Sequence, residues 1–157
     1  MADAEIYARL KADHDRQRDL IARIADGEGD RHADFEELRK ELQAHAAAEE
    51  ESLYATMLGD PDLRDSARHA VSEHKDVDDL LGELCAMSVD DADWLDTFDV
   101  MRERYLHHID EEEEEMFPEA AEALSDATEA KLAATYDARK PAELARAEHE
   151  LPGDARE

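Results

Sequence analysis

A single cysteine, Cys85, in 157 residues excludes an intrachain disulfide framework and fits a reducing compartment. Basic residues are scarce too: 18 lysines and arginines face 45 aspartates and glutamates, for a net charge of −27. Such a chain has no basic face to offer nucleic acid or an anionic lipid surface. No apolar run approaches the roughly 20 residues of a membrane-spanning helix, and Met1–Glu5 lacks the basic and apolar stretches of a secretory leader. The expectation is a cytoplasmic protein, favoured as a monomer, with neither nucleic acid nor membrane as partner. Its length suits one domain.

Glycine and proline are few and fall in a handful of places: Gly27 and Gly29, Gly59 with Pro61, Pro118, Pro141, and Pro152 with Gly153. Only Gly82 interrupts a periodic stretch, where it costs a helix about 1 kcal/mol relative to alanine. The segments between are rich in Ala, Leu, Glu and Arg and poor in β-branched residues, which favours helix over strand. The punctuation predicts helices over 3–26, 31–58, 62–87, 91–117 and 126–148, with Asp60-Pro61-Asp62 as a helix start and Ser88–Asp91 as a turn. Long helices joined by short turns make antiparallel neighbours. The fold class is therefore all-α: an up-down-up-down four-helix bundle over 1–120 with an additional C-terminal helix over 121–150, anchored by Leu132, Tyr136 and Leu144 and kinked or broken at Pro141. Residues 151–157 read as a disordered tail.

The stripes spaced by three and four residues carry the functional signal. They read Ile6, Leu10, His14, Gln17, Ile21, Ile24 on the first helix and Phe35, Leu38, Leu42, His45, Glu49, Leu53 on the second. The third gives Leu63, Ala67, Ala70, His74, Val77, Leu81, Leu84, and the fourth Trp94, Phe98, Met101, Tyr105, His108, Glu112. Each apolar stripe holds one histidine near its middle, and two add a glutamate four residues later, on the same face. Counted from the adjoining turns, each histidine lies 14 to 19 residues into its helix, so at about 1.5 Å per residue all four are level within about two helical turns. Burying four imidazoles and two carboxylates without compensation is costly. Cations would neutralise the carboxylates and use the imidazole lone pairs. Mixed nitrogen and oxygen donors suit iron, manganese or zinc. Six ligands are too many for one tetrahedral ion and suit two ions that share carboxylates. The plain alternative is a metal-free polar core, in which His45→Ala and Glu49→Ala would be neutral or stabilising.

These residues resemble the hemerythrin-like, or HHE cation-binding, family of di-iron four-helix bundles over about residues 5–120. The matching pieces are His14-Asp15 with Arg18, His45-Ala-Ala-Ala-Glu49-Glu50 with Leu53-Tyr54, Glu73-His74 with Val77 and Leu80-Leu81, and His107-His108-Ile-Asp-Glu-Glu112-Glu113 running into Met116-Phe117-Pro118. A lone H-x-x-x-E is weak, but the ordered set, at intervals of 31, 29 and 34 residues, is specific. The resemblance implies two iron ions, with manganese or zinc less favoured: His14 and His45 on one, His74 and His108 on the other, Glu49 and Glu112 bridging. It also implies binding, sensing or reduction of a small ligand such as O2, NO or peroxide, with an iron- or oxygen-responsive interaction module without turnover as the alternative. The oxygen carriers of the family have a fifth histidine in an H-x-x-x-H pair on the third helix. Here Ala70 and Asp78 stand four residues either side of His74, which weakens simple oxygen transport and leaves a coordination position open or carboxylate-filled.

Other candidates rank lower. His107 is turned about 100° from His108 and reads as solvent-facing, like His32, His69 and His149. Asp15 and Arg18 are expected to support a ligating histidine. Tyr105 reads as core before it reads as a partner of bound ligand, and Asp78 is a minor candidate for an extra ligand. Cys85 reads as packed. A ferritin-like site needs Glu-x-x-His on two helices, and the chain contains no such motif. No nucleophile triad, phosphate loop or H-E-x-x-H offers another chemistry.

Overall fold

Helix ends follow local chemistry. Gly27 takes the left-handed conformation (φ 69°), and the Glu28 N–H donates to Arg23 O at 3.2 Å, closing α1 (Glu5–Asp26). The Asp30 carboxylate accepts the Ala33 N–H at 3.2 Å and opens α2 (Arg31–Glu49). A five-residue π-helical turn, Glu50–Tyr54, joins α2 to α3 (Ala55–Leu58). Next come α4 (Arg64–Cys85) and α5 (Ala92–Glu111), then a second π-helical turn (Glu112–Met116) leading into α6 (Phe117–Ala123). Ser125 caps α7 (Asp126–Ala147) by accepting the Thr128 N–H at 3.1 Å. This computed structural model describes residues 3–153, and among them there is no strand. The all-α expectation holds.

Two differences from the sequence reading have a local physical reason. The third helix starts at Arg64 because Asp60 closes a separate turn first, accepting the Asp62 N–H on its side chain and the Arg64 N–H on its carbonyl, both at 2.9 Å. The fourth continues past Phe117, with Pro118 in the first turn of α6. There the preceding π-helical turn widens the backbone and relieves the clash a proline ring makes with the carbonyl four residues back. Pro141 does not break α7, which runs unbroken across it.

Helix α1 packs on α2 and α5, and α4 packs on α5 and α2, closing the four-helix ring; α7 lies along α2 and α1. Every member of the four stripes is buried. On α7, Leu132 and Tyr136 are buried as expected, but Leu144 is exposed; Lys140, Glu143 and Ala147 face inward instead. Two apolar clusters fill the bundle. One is built around Ile6, Leu10, Leu53, Met57 and Phe117, the other around Ile24, Leu38, Leu84, Trp94 and Phe98. The polar members of the stripes belong to neither cluster.

Gly82 has a packing reason. A Cβ there would lie 3.0 Å from Pro152 O and 3.3 Å from Gly153 Cα. The chain after α7 crosses α4 at this point, with Pro152 buried and the Gly153 N–H donating to Asp78 Oδ2 at 2.8 Å. Of the segment expected as a tail, Pro152 and Gly153 thus rest on α4, Leu151 is exposed, and 154–157 lie outside the described residues. No helix among the described residues is long and apolar enough to cross a membrane.

Candidate metal centre

His14, His45, Glu49, His74, His108 and Glu112 meet inside the bundle, all buried. They form two groups of four, His14–His45–Glu49–Glu112 and Glu49–His74–His108–Glu112, in each of which one nitrogen or oxygen per residue lies within 4.8 Å of the others. The imidazoles pair accordingly, with ring centroids 5.0 Å apart for His14 and His45 and 4.8 Å for His74 and His108. Each carboxylate stands between the pairs. Glu112 is 3.3 Å from both His14 Nε2 and His108 Nε2; Glu49 is 3.3 Å from His74 Nε2 and 3.7 Å from His45 Nε2.

The donor atoms face one another without partners. His14 Nε2, His74 Nε2, His108 Nε2, both Glu49 oxygens and Glu112 Oε1 are buried and make no hydrogen bond. Orphaned buried polar atoms are rare and call for a ligand. Each ring is meanwhile held from behind through Nδ1: His14 by Glu113 at 2.6 Å, His45 by Asp13 at 3.0 Å, His74 by Glu50 at 3.1 Å and His108 by Glu73 at 2.9 Å. A carboxylate on Nδ1 fixes the tautomer and leaves Nε2 free as a donor to metal.

The four carboxylates form a circuit. Asp13 of the first helix serves the second, Glu50 the third, Glu73 the fourth and Glu113 the first again. Each is the sequence neighbour of an inward residue, and a step of about 100° turns it toward the adjoining helix. The sequence reading looked for this support in Asp15 and Arg18. Asp15 is exposed and, among the described residues, pairs with Arg18 alone, whereas Arg18 does reach the centre indirectly through Glu113, at 3.1 Å. Asp13, Glu50, Glu73 and Glu113 were missed; their position beside a stripe residue was the available signal.

The π-helical turns add two further neighbours. Five-residue spacing aligns residues i and i+5 in such a turn, bringing Tyr54 under Glu49 and Phe117 under Glu112. The Tyr54 hydroxyl donates to Glu112, and Phe117 stacks on His14 at 6.1 Å. A 3.6-residue period does not reveal either placement. The Tyr105 hydroxyl donates to Gln17, which places it in the core network. His107 and His69 are exposed, Asp78 belongs to neither four-residue group, and half-buried Cys85 has its thiol pushed up to about 11 by burial.

Fixed charges set the protonation of the metal-free centre. Burial by itself lowers an imidazole, but the Glu112 carboxylate beside Nε2 and Glu113 on Nδ1 raise His14 to about 9, and Glu112 with Glu73 on Nδ1 raises His108 to about 10. Burial raises Glu49 to about 7, helped by the neighbouring Glu112 charge, while the imidazoles hold Glu112 well below the usual range against its burial. Protons thus occupy the place of cations. The stability from His14 and His108 is complete below their ordinary value of 6.5 and is lost as pH climbs through 9 and 10. Calorimetry of chelator-treated protein is expected to show Tm falling by about 5–10 °C between pH 6.5 and 10, and much less with metal bound.

A model of the hemerythrin HHE cation-binding domain matches residues 5–120. Among solved structures, a hemerythrin HHE cation-binding domain-containing protein from Mycobacterium kansasii is similar, with a TM-score of 0.77 and 27% identity over 93% of this chain and 90% of that one. No curated protein matches. The four-helix bundle, its buried histidine and glutamate groups, and a family match covering most of the chain agree: this chain belongs to the hemerythrin HHE cation-binding domain family.

Proposed function

We propose that the six buried residues hold two iron ions and that the protein binds, senses or reduces a small ligand such as O2, NO or peroxide. The observation that carries this reading is the set of orphaned donors, on three of the four imidazoles and on both shared glutamates, inside two four-residue groups. His14 and His45 would hold one ion, His74 and His108 the other, with Glu49 and Glu112 spanning both. Mixed nitrogen and oxygen donors favour iron over manganese or zinc only weakly; the paired, carboxylate-bridged arrangement suits two-electron exchange with an oxidant. Such a metal pair, when bound, supplies electrons and an open coordination position.

The protein's own part is positioning and exclusion. The Nδ1 carboxylates lock the rings, the two apolar clusters keep bulk water out, and the Tyr54 hydroxyl keeps its proton and donates a hydrogen bond to Glu112 Oε2, its own ionisation suppressed by burial and the adjacent carboxylates. With Ala70 and Asp78 in place of a further histidine, reversible oxygen carriage is the less favoured use. The lone cysteine and acidic surface fit a cytoplasmic setting.

Anaerobic purification in iron-replete medium is expected to give two irons per chain, and exposure of the reduced protein in turn to O2, NO and peroxide to give a near-ultraviolet charge-transfer band with at least one of them. Less than about one iron per chain together with no band in any arm would sink the proposal. A second reading, an iron- or oxygen-responsive interaction module without turnover, is favoured by two contacts: Lys140 and Tyr136 of α7 both reach Asp13, the carboxylate behind His45. Iron-loaded and chelated protein would then differ in protease cleavage of α7. Identical digestion would remove that reading.

A further inference from the structure

Building on the two-cation reading, we infer that the two metal positions are unequal by construction: the His74–His108 position fills first and holds its cation more tightly, and the His14–His45 position is the exchangeable one. The asymmetry lies behind the rings. Asp13, on His45, is met by Lys140 Nζ at 2.8 Å and by Arg16, and also accepts the Tyr136 hydroxyl. Glu113, on His14, is met by Arg18 at 3.1 Å. Both carboxylates of this position are therefore paired with lysine or arginine, although Arg18 also meets Asp15 and Asp110, each at 3.0 Å.

At the other position the ion pairs of Glu50 and Glu73 among the described residues are with histidine alone. Glu50 pairs with His74 at 3.1 Å, and Glu73 with His108 at 2.9 Å and with exposed His69 at 3.5 Å. A carboxylate that keeps its charge polarises the Nδ1–H it accepts and makes Nε2 a stronger donor to metal; one already paired does so less. Glu49 and Glu112 are common to both positions and do not discriminate. Lys140 also balances Glu41, at 2.9 Å, so its charge is divided, yet Arg16 reaches the same Asp13 and Glu41 pair from outside. The compensation at this position is thus threefold in source: Lys140 from α7, and Arg16 and Arg18 from α1.

Mutual repulsion weakens the second cation wherever it binds, so a two-step isotherm alone decides nothing. The order decides. Metal-free protein titrated anaerobically with cobalt(II), read by visible absorption and calorimetry, is expected to bind in two steps. His45→Ala should keep one equivalent at close to the wild-type first-step affinity. His74→Ala should keep one equivalent bound at least about tenfold more weakly than in His45→Ala. Arg18→Gln, a change at a partly exposed residue that touches no proposed ligand, should strengthen the second step about threefold to tenfold and leave the first unchanged. Equal remaining affinities in the two histidine variants, the reverse order, or an unaltered second step in Arg18→Gln would each overturn the inference while leaving two-cation binding intact. Wild-type protein that takes up no cobalt would overturn both.

Discussion

Replacing Glu112 by glutamine is expected to empty the centre, lowering cation affinity at least about a hundredfold and leaving purified protein with well under one metal per chain. The side chain is shared by both four-residue groups and stands 3.3 Å from one imidazole of each pair. An amide of the same shape carries no charge and turns an N–H₂ toward one of those nitrogens, so it cannot serve both positions. Metal analysis and the optical spectrum read the loss directly. A second readout separates it from simple misfolding. In the metal-free state Glu112 is the main anion that raises His14 and His108, so Glu112→Gln should also flatten the fall in Tm between pH 6.5 and 10. Glu49→Gln makes the contrast. Burial lifts Glu49 to about 7, so its neutral acid is well populated near neutrality. A glutamine there should alter metal-free stability by less than about 1 kcal/mol while abolishing loading just as fully. Normal metal content in either variant would refute their assignment as ligands.

The largest loss of stability is expected from Lys140→Met, about 3–5 kcal/mol, because it breaks a buried network by removing one partner. Lys140 Nζ lies 2.8 Å from Asp13 and 2.9 Å from Glu41, both largely buried, and Gln17 donates to Glu41 at 2.6 Å. Without the ammonium, two carboxylates face each other with Arg16 alone to balance them, and the group of Asp13, Glu41 and His45 loses the cation that now fills it. Denaturant unfolding should show the drop, and Glu41→Gln in the same chain should restore at least half of it by removing the surplus charge. Arg9, which pairs with Asp137 across the same α1–α7 contact but in solvent, is the control: Arg9→Ala should leave the unfolding midpoint nearly unchanged. Equal losses in the two variants would mean that α7 is held by its apolar face alone and that Lys140 is incidental.

How much of this was legible beforehand differs by residue. The stripes were readable because burial in a helix imposes its own period, and His14, His45, His74 and His108 stood out as polar interruptions at matching depth. Glu49 and Glu112 followed from the spacing of four. Leu144 was misread because α7 turns Lys140 and Glu143 inward, and an apolar pattern gives no hint that a lysine will be buried against Asp13. Tyr54 and Phe117 were out of reach as neighbours of the centre because their alignment depends on π-helical turns, which break the period on which the reading relied.

By itself, then, the order of residues determined the helices, their number, the stripe each buries and the six polar groups those stripes carry, since each follows from local propensity and periodicity along one chain. The pairing of the imidazoles was implied by the family resemblance and not by any one stripe, and only the tertiary structure decided which carboxylate stands behind each ring and that α7 brings a lysine to the Asp13 side of the centre. Those are relations between side chains from different helices, set by how the rods rotate and pack against one another, and no spacing within a single helix encodes them.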